Sequence, residues 1–411
     1  MLAGLGGALE DVAQAQEALR SALSLDPILK ASGNPVAELP PDQLHWGPVQ
    51  LTLGVYTGAE FVDNINNSQK NPQSDTIVRG GMNLGFVWPA TPQSSLRLSS
   101  DVGYAAYLEH HRSDTLEIAP NSVLSWGVAF EDGSLTWFDQ FNYVQEVITL
   151  AAISGVSQLP RFDNTIGARM QWQPGRWQLE LSLSRNDYFS TDASLNYLNR
   201  GSEYVSLRGS RYLAEDTQIG VEASVSVTAY ELPIQSNNRS YSLGPYLEWK
   251  VTPFFKVSLH GGPTLYSFDA TGRQPASNLN AYYVNLDLNH QLTEFISQGL
   301  SLQRNVSLGL QRGNNYIEQL TASYTVNWAV FHNFDLGLNL AYETGSQPLA
   351  QTLAGAANEQ FGRVGINPTL SYQFSQKLSG NLNYSHWERT SNIAGNTYSE
   401  NSIGLIFRYA F

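Results

Sequence analysis

Hydrophobic and polar residues alternate with a period of two through most of the chain after Trp46. Between residues 218 and 230, Ile219, Val221, Ala223, Val225, Val227 and Ala229 share one face, while Gln218, Glu222, Ser224, Ser226 and Thr228 share the other. That is the pattern of a strand with one apolar and one polar side. Eighteen such segments, each roughly 9 to 16 residues long, can be counted. The clearest are 96–108, 177–183, 218–230, 255–265, 282–288, 320–330, 334–342 and 378–384.

The connections alternate in length. Short ones fall at 89–94, 131–134, 173–176, 213–216, 252–253, 293–295, 331–333 and 375–377. Longer polar ones fall at 63–75, 108–114, 150–160, 190–200, 232–238, 269–278, 311–315, 343–360 and 390–396. An even strand number with tight turns on one rim and long loops on the other predicts an all-β fold, a transmembrane antiparallel up-and-down β-barrel of about 18 strands. A soluble sandwich has no reason to keep that parity.

The final strand sharpens this reading. Ile403, Leu405, Phe407, Tyr409 and Phe411 lie on one face and Ser402, Gly404, Arg408 and Ala410 on the other, with Ile406 as the exception. This stretch resembles the closing strand of a bacterial outer-membrane β-barrel. The resemblance implies that Phe411 is an assembly signal and that the barrel-assembly machinery is a partner.

Residues 1–46 differ. Leu9, Val12, Ala15, Leu19 and Leu23 have the spacing of one short amphipathic helix, and Pro35, Pro40 and Pro41 then break it. The expected division is therefore an N-terminal periplasmic segment with a Pro-rich linker over 1–46 and an outer-membrane β-barrel over 47–411. The first segment is too short to resemble the plug of a TonB-dependent transporter. With Glu10 and Asp11 so early and no basic start, no signal peptide is seen, and removal of one is the expectation.

Composition agrees with the barrel. Charged residues make up 14% of the chain, against about 25% in soluble domains. Even so, no apolar run approaches the ~18 residues of a transmembrane helix. With no cysteine, disulfides and thiolate sites are excluded. A net charge of −13 argues against nucleic acid as a partner.

Trp88, Trp126, Trp137, Trp172, Trp177, Trp249 and Trp328 all fall close to a short connection. Indole favours the membrane interface, so they are expected to form an aromatic girdle against outer-membrane lipid at the turn rim. Tyr188, Tyr266, Phe268, Tyr282, Tyr316, Tyr342 and Tyr398 are candidates for a second belt. Pro120, Pro245, Pro263 and Pro368 each sit early in a strand and predict a bulge or bend.

No HExxH or GxSxG motif is present, and His110–His111 reads as a solvated loop pair. No catalytic residue, metal or cofactor is expected. Parity instead sends Arg79, Arg97, Asp101, Arg169, Glu180, Arg208, Glu222, Glu248, Lys256, Asp287, Asp335 and Arg408 inward as pore-lining residues, with Glu117 and Glu343. These charges either pair across strands or, with inward Tyr107, Tyr204, Tyr246 and Tyr283, solvate a solute. Arg304 and Asp139 fall on the outward face, so a bulge is expected near each. Eighteen strands leave a channel rather than a packed interior. The 343–360 loop is the expected candidate to fold inward and narrow it.

The barrel region resembles β-barrel porin families of Gram-negative bacteria found beside polysaccharide-export genes. The likeness rests on the aromatic terminus, the prolines within strands and Tyr/Asn/Ser-rich walls. It implies outer-membrane passage of a glycan or exopolysaccharide, and a periplasmic polysaccharide-export partner that residues 1–46 would contact. The expected function is an outer-membrane channel with a polar aqueous lumen for hydrophilic solutes. The alternative is a structural or adhesive barrel with a closed lumen. A membrane-embedded hydrolase would need a Ser/His/acid set that the sequence does not display.

Overall fold

The computed structural model describes residues 44–145, 151–152, 154, 158–272, 274–331, 333–348 and 358–411. The helix expected within 1–46 and the tip of the 343–360 loop lie outside these residues.

A short strand β1 (Leu44–Trp46) forms a hairpin with the base of β2 (Val49–Val62). The wall continues through β3 (Asp75–Thr91), β4 (Ser94–Tyr107), β5 (Thr115–Ile118), β6 (Val123–Phe130), β7 (Gly133–Val144), β8 (Arg161–Trp172) and β9 (Trp177–Ser190). Next come β10 (Arg200–Ala214), β11 (Thr217–Tyr230), β12 (Asn238–Thr252), β13 (Phe255–Phe268), β14 (Ser277–Gln291) and β15 (Ile296–Leu308). It ends with β16 (Tyr316–Phe331), β17 (Phe334–Gln347), β18 (Glu359–Gln373), β19 (Leu378–Ser391) and β20 (Tyr398–Ala410). Except for β5 and β6, which each pair with β4 and β7, every strand pairs antiparallel with its sequence neighbours, and β2 pairs with β20 from Gly54↔Ala410 to Val62↔Ser402, which closes the sheet. Because β5 and β6 are two halves of one crossing against β4, the closed antiparallel barrel has 18 staves. Closure matters because lipid offers no partner for a free edge.

The alternation of the sequence becomes an inside-out barrel. Leu53, Ile166, Leu181, Val221, Leu243, Val364 and Leu405 are among many large apolar residues exposed on one face. Buried Ser, Thr, Asn and charged residues occupy the positions between them. All seven predicted girdle tryptophans are exposed near the tight turns, and Trp126 and Trp137 stack with ring centroids 5.1 Å apart.

Two expectations need correction, the second aromatic belt and the bulges at Arg304 and Asp139. Tyr188, Tyr266, Phe268 and Tyr398 do not form an outer belt. They are buried on the inward parity, because Phe189, Leu265 and Ile403 take the outward positions. Only Tyr282 and Tyr342 of the proposed belt are strongly exposed, while Tyr316 is half-buried and stacks on Phe268.

No bulge accompanies Arg304 or Asp139; the β15–β16 ladder runs through Arg304 and both ladders of β7 run through Asp139 in register. Each polar group instead finds a partner on the outward face. The guanidinium of Arg304 lies over the Tyr282 ring, donates to the Tyr282 carbonyl at 2.5 Å and approaches Glu318 at 3.5 Å. The β14–β15 ladder ends at Val284↔Arg304, so the side chain satisfies a carbonyl that the neighbouring strand no longer reaches. Asp139 accepts from Asn164 Nδ2 at 2.5 Å.

The prolines also behave unequally. Pro120 sits in a true bulge, where residues 119–122 face only residues 100–101 of β4. Pro245, Pro263 and Pro368 interrupt the β12–β13 and β18–β19 ladders without shifting register.

Candidate functional site

All twelve residues expected to face inward alternate with the exposed apolar side chains, on the opposite face of their strands. Most are cross-strand ion pairs. Arg79 meets Glu60 at 2.6 Å and Glu117 at 3.6 Å, Arg169 meets Glu180 at 2.6 Å, and Lys256 meets Glu248 at 3.3 Å. Asp101 accepts from Asn83 at 2.6 Å, and Arg97 reaches Ser95 at 3.4 Å. Asp287, Asp335 and Arg408 stand on the same face, with Arg408 well exposed.

One cluster in the wall was invisible in the sequence. Ser258 Oγ lies 3.0 Å from His260 Nε2, and His260 Nδ1 lies 3.0 Å from Glu222 Oε2. Glu222 also accepts from Tyr283 at 2.8 Å and Arg208 at 3.2 Å, and His260 stacks on Tyr246. Hydroxyl, imidazole and carboxylate in that order form the relay used to activate a nucleophile. The surroundings oppose that use. Directly across from Ser258 stand Glu248 and Asp287, two carboxylates where a tetrahedral oxyanion would need hydrogen-bond donors.

The set therefore reads as a strut joining β10, β11, β13 and β14. Gly244 of the intervening β12 makes it possible. It lies directly opposite Glu222, and a Cβ there would sit 2.5 Å from Tyr283 Oη and 2.2 Å from the Gly261 carbonyl oxygen.

Two further pairs mark the loop-side half of the lumen. Arg363 and Glu343, directly opposite in β18 and β17, are 2.9 Å apart and essentially buried, with Arg363 lying over the Trp387 ring at 4.1 Å. Arg389 and Glu359 are 2.8 Å apart and fully buried, with Gln347, Ser391 and Asn396 also donating to Glu359. Glu343 was legible by parity. Arg363 could have been found the same way, since Val364 and Ile366 take the outward positions.

The long loops converge on this end. Arg389 Nε donates to the Ala151 carbonyl at 2.5 Å and Gln347 to that of Ala152 at 2.9 Å, so the 145–160 connection reaches strands far around the wall. Gln235 is a second tie. It donates to the carbonyls of Gly309, Gln311 and Asn314 and accepts from the Gly313 amide. Tyr197 Oη donates to Leu310 at 3.0 Å, and burial raises its hydroxyl above the usual phenol range while Arg312 lowers it. Ala151, Ala152, Leu310, Ile317 and Phe361 pack into one apolar knot. The tip of the 343–360 loop, the expected inward segment, lies outside the described residues; among them, residues 151–152 and the 309–315 loop meet the ends of β17, β18 and β19 in this knot. Sequence carried no signal for this, because the ties are glutamine amides and backbone carbonyls.

No family model matches the chain, and no curated protein is similar to it in sequence. Solved structures are similar in fold. Pseudomonas aeruginosa OccK2 (OpdF) in complex with glucuronate matches with a TM-score of 0.51 at 11% identity, covering 88% of this chain and 98% of that one. The Pseudomonas aeruginosa outer membrane protein OpdK matches with a TM-score of 0.51 at 12% identity, covering 88% and 99%. A structure of OpdK with vanillate matches with a TM-score of 0.50 at 11% identity, with the same coverage. The protein is a closed, 18-stranded antiparallel barrel with the fold of these bacterial outer-membrane proteins.

Proposed function

We propose that the chain is a channel of the Gram-negative outer membrane that passes small hydrophilic solutes. The observation that carries this reading is the closed wall of 18 staves with a polar inward face and an apolar outward one. At that strand number side chains do not fill the interior, so a polar lumen holds water. The inward charges Arg79, Arg97, Asp101, Arg169, Glu180, Arg208, Glu222, Glu248, Lys256, Asp287, Asp335 and Arg408 line that path. The knot of loops at one end narrows it, which favours small molecules over a threaded polymer. Glucuronate and vanillate, bound in two structures of similar fold, are both small carboxylates.

Export of an exopolysaccharide is the second reading. The amide- and hydroxyl-rich wall with buried Tyr107, Tyr204, Tyr246 and Tyr283 supports it, but the fold neighbours point to small solutes. Swelling of proteoliposomes separates the two. The small-solute reading predicts rapid entry of glucuronate and monosaccharides and a steep fall with oligosaccharide length. Equal entry of long oligosaccharides would favour the polymer, and no entry of any solute would refute both. Under either reading the terminal Phe411 serves barrel assembly.

A further inference from the structure

The outward face carries a groove of about 700 Å³ that crosses from β9 to β14. Trp177, Leu213, Val221, Pro245, Leu259 and Val284 line it, and its depth comes from Gly209 and Gly261, which place no side chain on that face. It begins at the turn rim, beside Trp177 and Leu213, and runs toward mid-wall at Pro245 and Val284.

At the rim end stands Arg211. It is exposed, its guanidinium lies 5.5 Å from the centroid of the Trp177 ring, and it is itself part of the lining. Its cross-strand neighbours are Trp177 and Ile219. Among the described residues no carboxylate comes within ion-pair distance. Two other outward arginines are neutralised from within the wall, Arg185 by Asp187 and Glu203 and Arg304 by Glu318. A cation facing lipid needs an anion.

We infer that this groove is a phospholipid site, with the phosphodiester on Arg211 and an acyl chain lying between Val221, Pro245 and Leu259. Three features select this occupant. The groove is apolar along its length, it opens at the height of the tryptophan girdle where headgroups lie, and its one unpaired charge is positive. Arg239 provides the internal control. It is exposed on the outward face near the opposite rim, among the described residues also has no carboxylate at ion-pair distance, and is no part of this groove.

The test uses the full chain, delipidated in detergent, titrated with phosphatidylethanolamine or phosphatidylglycerol and read by native mass spectrometry. The wild type should hold one phospholipid about tenfold more tightly than either Arg211→Ala or Val221→Trp, the second of which fills the groove and keeps the charge. Arg239→Ala should bind like wild type. Heat-modifiable gel mobility shows that each variant is a folded barrel. Equal binding by all four proteins would overturn the site, as would loss in Arg211→Ala without loss in Val221→Trp, which would mean a bare surface charge. A dimer that takes up no lipid would mean that a second copy covers the groove.

Discussion

Single residues in this wall are worth very different amounts, and burial decides which. Arg363 and Glu343 are shut off from solvent, so Glu343→Ala would leave an uncompensated guanidinium and cost about 3 to 5 kcal/mol. Lys256 and Glu248 are both substantially exposed, and Glu248→Ala should change stability by less than about 1 kcal/mol. Thermal unfolding of the two variants in one detergent checks the contrast, and equal shifts would contradict it. Gly244→Val should break the Glu222 strut and lower the melting temperature, because the new side chain needs the space of Tyr283 Oη and the Gly261 carbonyl. The relay-like Ser258–His260 pair makes a separate prediction. A fluorophosphonate should leave Ser258 unlabelled, since two carboxylates face it; stoichiometric labelling would reopen a hydrolytic role. Parity alone sent all twelve charged residues to the inward face. It could not show that Glu222 reaches past Gly244 to His260, because that contact depends on a missing side chain on the neighbouring strand.

Strands were legible because lipid and water impose opposite demands on their two faces, and Gln218–Tyr230 reads the same in sequence and structure. Turns were legible because tight connections alternate with long ones. What failed was local. The tyrosine and phenylalanine positions near the loop rim were assigned to lipid by residue type, yet Phe189 and Leu265 hold those positions and turn Tyr188 and Tyr266 inward. Arg304 and Asp139 seemed to demand bulges, but paired polar groups near or within the belt keep the ladder intact. The knot of loops was beyond reach because Gln235, Gln347 and Arg389 bind backbone carbonyls, which leave no trace in residue type. One consequence concerns the belt as an element. Leu181→Arg, in the lipid-facing row of β9, should cost about 2 to 4 kcal/mol, whereas Arg304→Leu near the rim should cost far less. A similar loss in both would contradict the placement of the belt.

At the scale of the molecule, a closed wall of 18 staves carries loops at one end that are tied to strands far around it. Arg389 and Gln347 hold the Ala151 and Ala152 carbonyls, so Arg389→Ala with Gln347→Ala should loosen the 145–160 connection and raise the flux of small solutes in swelling assays. An unchanged flux would remove the knot from the permeation path. The most direct measurement is single-channel recording of the full chain in planar lipid bilayers. An open polar lumen predicts stable, discrete conductance steps that scale with salt concentration. A barrel that inserts, as judged by heat-modifiable mobility, and carries no current at any voltage would contradict the central claim.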